Sequence, residues 1–78
     1  KKNTFNIKFN LIFCDPPFKD KNVEKLIELI FQKNLLEKKG ILILHRNKNT
    51  VDEMPNNFHT IDERIYGISK IIFGTISG

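Results

Sequence analysis

A second cysteine is absent, so the lone Cys14 cannot form an internal disulfide, which agrees with a reducing compartment. Long apolar runs are missing too. No stretch approaches the roughly 20 residues that a membrane-crossing helix requires. The opening KKNTFNIKFN has neither the apolar block nor the small-residue cleavage site of a secretory signal. A cytoplasmic protein with no membrane partner is the expectation. No internal repeat, low-complexity tract or linker interrupts the chain. The two histidines, His45 and His59, lie far apart with Cys14 near neither, and they make no metal site. Charge of one sign is not extreme: thirteen Lys and Arg against nine Asp and Glu leave +4, compatible with a polyanionic partner and equally with an ordinary surface.

What is present is a globular composition, 40% hydrophobic, in 78 residues that support one core at most. Phe9 to Cys14 is a mostly apolar run without alternation, which fits a strand covered on both faces. Pro16 and Pro17 end it, since neither donates a ladder hydrogen bond. From Asn22 the period changes: Val23, Leu26, Ile27, Leu29, Ile30 and Phe31 recur at helical spacing, with Asp20 or Asn22 as the cap and Asn34 as the stop. LLEKKG then leads into Ile41 to Leu44, a second strand. Strand, helix and strand make a βαβ unit with parallel strands. The polar stretch from Asn47 to Asn57 reads as a loop with one helical turn at most. Thr60 to Tyr66 and Ser69 to Phe73 read as two strands joined at Gly67, which supplies the positive φ of a tight turn.

Four strands and one helix leave one sheet face and the edge of the first strand uncovered, although LIFC and ILIL read as buried on two faces. The first half of a doubly wound domain is expected to be absent from this chain. An isolated piece of that kind is expected to self-associate through the open edge or to depend on neighbouring molecules for cover.

Ligands of open α/β sheets sit at the carboxyl ends of the parallel strands. Asp15 to Phe18 lies at that end of the first strand, and His45 and Arg46 at the same end of the second, whereas Lys38 and Lys39 belong at the opposite edge. A carboxylate and a nearby backbone carbonyl accept both hydrogens of an exocyclic amine while an aromatic ring stacks on the base. Prolines have no N–H to compete and stiffen the loop that carries those acceptors.

The residues FNLIFCDPPF resemble the Asp-Pro-Pro-aromatic motif of S-adenosylmethionine-dependent amino-methyltransferases. More narrowly, they resemble the RsmD-type family, which methylates the exocyclic N2 of a guanine in small-subunit ribosomal RNA. LLEKKG stands in place of that family's Leu-Leu-x-x-Gly-Gly-like turn, ILIL follows, and RIYGISKIIFG is similar to its closing Tyr-Gly hairpin. The resemblance covers Phe9 to Gly74. It implies an α/β fold, the C-terminal part of a Rossmann-like methyltransferase, in which a βαβ unit is followed by an antiparallel edge hairpin. The last strand would insert between the second parallel strand and the hairpin's first. Residues 1–78 would then be a single partial domain, the C-terminal half of a class I methyltransferase.

Carried onto this chain, the resemblance makes Asp15 the acceptor of a hydrogen bond from the target amine, joined by the main-chain carbonyl of Pro16. Pro17 shapes the loop, and Phe18 stacks on a flipped guanine. Lys19 and Arg46 are candidates for touching substrate phosphates, with Lys21 and Lys48 beside them, against the plainer reading of solvated charge. The implied cofactor is S-adenosyl-L-methionine and the implied partner ribosomal RNA or the small ribosomal subunit. The glycine-rich turn and the acidic residue that hold the cofactor in the family have no counterpart here, so the chain alone is expected to be inactive. The family's second strand often ends in an acid where this chain has His45, read here as a strand-end residue facing solvent or a neighbour. His59 reads as structural, Cys14 as a small buried hydrophobe and Tyr66 as edge packing. Two rival readings stand beside it: an amino-methyltransferase with the same motif acting on adenine N6 or a protein amide, and a non-catalytic truncated remnant with at most weak RNA binding.

Overall fold

Leu11 pairs with Ile41 and Cys14 with Leu44, so the apolar runs NLIFC and ILIL lie side by side and parallel. The structure, a computed structural model, describes residues 7–16 and 22–77. Its elements are β1 (Phe9–Cys14), α1 (Val23–Gln32), β2 (Leu36–Asn47), β3 (Phe58–Tyr66) and β4 (Ser69–Ile76). They form one sheet of order β1-β2-β4-β3. β4 runs antiparallel to both β2 and β3, and so takes the inserted position expected of the last strand.

Helix α1 forms because Val23, Ile27 and Ile30 recur along one stripe, and all three are buried against the sheet. Asn22 occupies the cap position without a side-chain capping bond, and Asp20 lies outside the described residues. The helix stops at Asn34, whose φ of 55° is left-handed. Leu35 N–H then donates to Ile30 C=O at 3.2 Å and Asn34 N–H to Phe31 C=O at 3.0 Å, the paired bonds of a Schellman ending.

Strand β2 begins at Leu36, not Ile41, because LLEKKG continues as strand after this ending. β3 likewise begins at Phe58 and β4 runs on to Ile76. The segment between β2 and β3 contains turns but no helix. Gly67 turns β3 into β4 with φ 59°, and the ladder starts at Tyr66 opposite Ser69.

The core lies on one face. Leu42 and Leu44 of β2, Ile72 and Ile76 of β4 and Phe58 of β3 pack under α1. LIFC, which reads as buried on two faces, is covered on one only, as one helix against four strands implies: Phe9, Leu11 and Phe13 of β1 are all more than half exposed, with no second layer over them among the described residues. Among the described residues β1 is also an edge, paired with β2 alone. Among the described residues no helix is long and apolar enough to cross a membrane.

Candidate functional site

Parallel pairing sets the site. Cys14 stands opposite Leu44, so one step further along both strands brings Asp15 beside His45. His45 Nδ1 lies 2.9 Å from Asp15 Oδ1, and its Nε2 lies 2.9 Å from Ser69 Oγ at the start of β4. The carboxylate is open to solvent, 55% exposed, and the imidazole beneath it is 25% exposed. Among the described residues Asp15 Oδ2 has no partner.

Arg46 points to the opposite face of β2, as successive strand side chains do. It is fully buried among the core residues. Its Nε donates to Asp52 Oδ2 at 2.9 Å and its Nη2 to Asp52 Oδ1 at 3.1 Å, a two-pronged pair that ties the β2–β3 segment to the strand. A third donor, Nη1, reaches the Pro16 carbonyl at 3.4 Å. Neighbouring residues of β2 thus approach neighbouring residues of the motif, His45 the Asp15 side chain and Arg46 the Pro16 main chain. Lys70 at the same end of the sheet spends its ammonium on the Thr50 carbonyl at 2.6 Å.

The structure brings together Asp15, Pro16 and Arg46 of the sequence candidates. Arg46 is not on the surface where a phosphate could meet it, since Asp52 already holds its guanidinium inside. Pro17, Phe18 and Lys19 lie outside the described residues, as does Lys21. Lys48 is exposed in the turn after β2. Lys38 and Lys39 line a groove of about 830 Å³ at the other edge, with Lys8 and Leu36, away from Asp15. His59 bonds Ser77 Oγ at 2.8 Å, and Tyr66 is exposed.

Three residues of this arrangement escaped the sequence: His45 as a partner of Asp15, Ser69 behind it, and Asp52 as the mate of Arg46. A signal existed for the first, because both residues sit one step past apolar runs that pair in parallel. Asp52 gave none beyond the rule that an arginine on a buried face needs an acid.

An electron-rich strand end results: a carboxylate oxygen and a backbone carbonyl, both acceptors, on consecutive residues. Among the described residues no glycine-rich turn of the kind that cradles S-adenosyl-L-methionine is found at this end of the sheet. The described glycines lie within β2 (Gly40), at the β3–β4 turn (Gly67) and within β4 (Gly74), so none follows a parallel strand at the Asp15 edge. Among the described residues no cluster of His, Cys, Asp and Glu could hold a metal ion. Burial pushes the Cys14 thiol above its ordinary pKa, so it stays protonated rather than nucleophilic.

Similarity to known proteins converges on one group. A family model described as conserved hypothetical protein 95 matches residues 1–75. An uncharacterized methylase of Rickettsia prowazekii (strain Madrid E) is 30% identical over 70 residues, which are 90% of this chain and 30% of that protein. A conserved hypothetical protein of Streptococcus pyogenes has a solved structure with TM-score 0.77 and 30% identity, over 91% of this chain and 45% of that one. A Haemophilus influenzae protein, provisionally described as a methylase, superposes with TM-score 0.75 at 24% identity, over 92% of this chain and 45% of its own. The chain therefore spans less than half the length of each of these relatives.

Proposed function

The chain belongs to the RsmD-type family, described as conserved hypothetical protein 95, and from that membership we propose that it is the substrate-side half of a methyltransferase domain. The acceptor we assign is the exocyclic N2 of a guanine in small-subunit ribosomal RNA, and the methyl donor S-adenosyl-L-methionine. The observation that carries this reading is the position of Asp15 and Pro16: two acceptors at the carboxyl end of a parallel strand, each engaged by a neighbouring residue of β2.

An aryl amine is a poor nucleophile while its lone pair is shared with the ring. Hydrogen bonds from its two N–H groups to the Asp15 carboxylate and the Pro16 carbonyl fix the nitrogen's geometry and favour the developing positive charge. The bound donor supplies an electrophilic methyl group; holding it falls to residues outside this chain. Phe18 stacks on the extruded base in this reading. Lys19 is assigned to a flanking phosphate, and Arg46 supports the loop from behind. The open sheet face and the β1 edge support a partial domain, because both are surfaces that a remaining layer and strand would cover.

In the full-length protein, Asp15→Ala is expected to reduce transfer to guanine N2 by at least roughly a hundredfold while the affinity for S-adenosyl-L-methionine stays within about twofold. Methyl incorporation into defined RNA, DNA and peptide substrates measures both the effect and the class. Transfer to adenine N6 or a peptide amide instead overturns the substrate, and full activity of Asp15→Ala overturns the role.

A further inference from the structure

The His45 side chain is not part of the hydrophobic core, yet both of its ring nitrogens are engaged, one by Asp15 and one by Ser69. An ionised carboxylate has only acceptors, so the 2.9 Å contact with Asp15 Oδ1 requires the hydrogen to be on Nδ1. In the neutral ring Nε2 is then an acceptor, and at 2.9 Å the Ser69 hydroxyl is its donor. The row Ser69 to His45 to Asp15 is thus a hydrogen-bond relay pointing one way, anchored on two strands of the sheet. It begins on β4, passes through β2 and ends on the residue after β1.

We propose that His45 is the positioning residue of this site: it fixes the rotamer of Asp15, occupying Oδ1 so that Oδ2 faces the incoming amine. The inference rests on the reading of Asp15 as that amine's acceptor. A half-exposed carboxylate at a strand end otherwise samples several rotamers, and each one lost on binding adds to the barrier. Tethering Oδ1 from the rigid β2 spends that entropy during folding. Where an acid at position 45 would repel Asp15, a histidine with Nδ1–H attracts it, so the residue type also suits the job.

Two measurements test the assignment. The first needs no turnover: nitrogen-15 shifts of the His45 ring in the chain, at a pH where the ring is neutral. Expected is the Nδ1–H tautomer in the wild type, with that preference lost in Asp15→Leu. An Nε2–H ring in the wild type, or the same tautomer in both, overturns the tether. The second uses methyl transfer by the full-length protein. His45→Leu is expected to lower kcat by roughly tenfold to a hundredfold, as small misplacements of a reacting group do, with the affinity for S-adenosyl-L-methionine unchanged. His45→Asn, whose amide nitrogen stands where Nδ1 stands, is expected to recover kcat to within a few-fold. Equal losses in both variants, or a loss in neither, overturn the positioning role. Wild-type inactivity on every RNA, DNA and peptide tested instead removes the functional reading, and the tautomer measurement still decides whether His45 holds Asp15.

Discussion

Leu11 and Leu42 are the same residue on neighbouring strands of one sheet, yet Leu11 is 56% exposed and Leu42 is fully buried. The difference follows from the face each occupies. Leu42 lies under α1 with Leu44 and Ile72, while Leu11 and Phe13 stand on the face without a helix. An apolar run therefore announces that a strand needs cover, and says nothing of whether the same chain supplies it. The polar residues divide in the same way. Arg46 and Asp52, on the covered side, form an ion pair that is 0% and 5% exposed; Arg64 and Asp62 on β3 form one of the same 2.9 Å length that is 60% and 46% exposed.

The ion pairs offer the largest contrast. Asp52→Ala leaves the Arg46 guanidinium buried without its carboxylate, and a loss of about 3–5 kcal/mol is expected, enough to unfold a small domain. Asp62→Ala removes an exposed pair that water replaces, so its denaturant midpoint is expected to stay close to that of the wild type while that of Asp52→Ala falls well below it. A comparable loss in both would mean that the buried pair is wetter than its geometry implies.

The two leucines come next. Leu42→Ala is expected to cost about 2–5 kcal/mol, because its neighbours cannot collapse fully into the space. Leu11→Ala should change stability by no more than about 0.5 kcal/mol, as surface substitutions do. Urea unfolding followed by circular dichroism measures both. Equal effects would show that the open face is covered in solution, for instance by a second copy joined at the β1 edge, and light scattering would then report the association.

Much of this division was legible beforehand. The βαβ unit, the helix stripe and its end at Asn34, and the positive φ of Gly67 each follow from a local rule, period or backbone preference, that acts within a few residues. The uncovered face was legible from arithmetic, one helix against four strands. Boundaries were not: LLEKKG looks like a turn because of its lysines and glycine, but Gly40 sits in β2 where its missing side chain lets the chain pass close to Leu36. At the site, Asp15 and Pro16 were legible from type and placement. The His45 contact depends on register between strands some 30 positions apart, and the Arg46–Asp52 pair on the path of a loop, neither of which has a local signature.

Cys14 and Phe13 carry the comparison down to adjacent residues of β1. Phe13 points to the open face, 60% exposed, and Cys14 to the core side, where burial raises its thiol pKa. A folded-state pKa raised above the unfolded value means that the folded protein prefers the protonated thiol. Its stabilising contribution is therefore complete below the unfolded thiol pKa of about 8.5 and is lost as pH rises through the higher folded value. Wild type and Cys14→Ala are expected to differ by a constant amount from pH 6 to about pH 8 and to converge above that window, as the wild type alone begins to bury a thiolate. Alkylation at neutral pH should be slower than for a thiol in the unfolded chain, since the attacking species is the thiolate. A gap that stays constant through the alkaline range, or full reactivity of the native thiol, would place Cys14 with Phe13 on the solvent side and blur the boundary between the two faces.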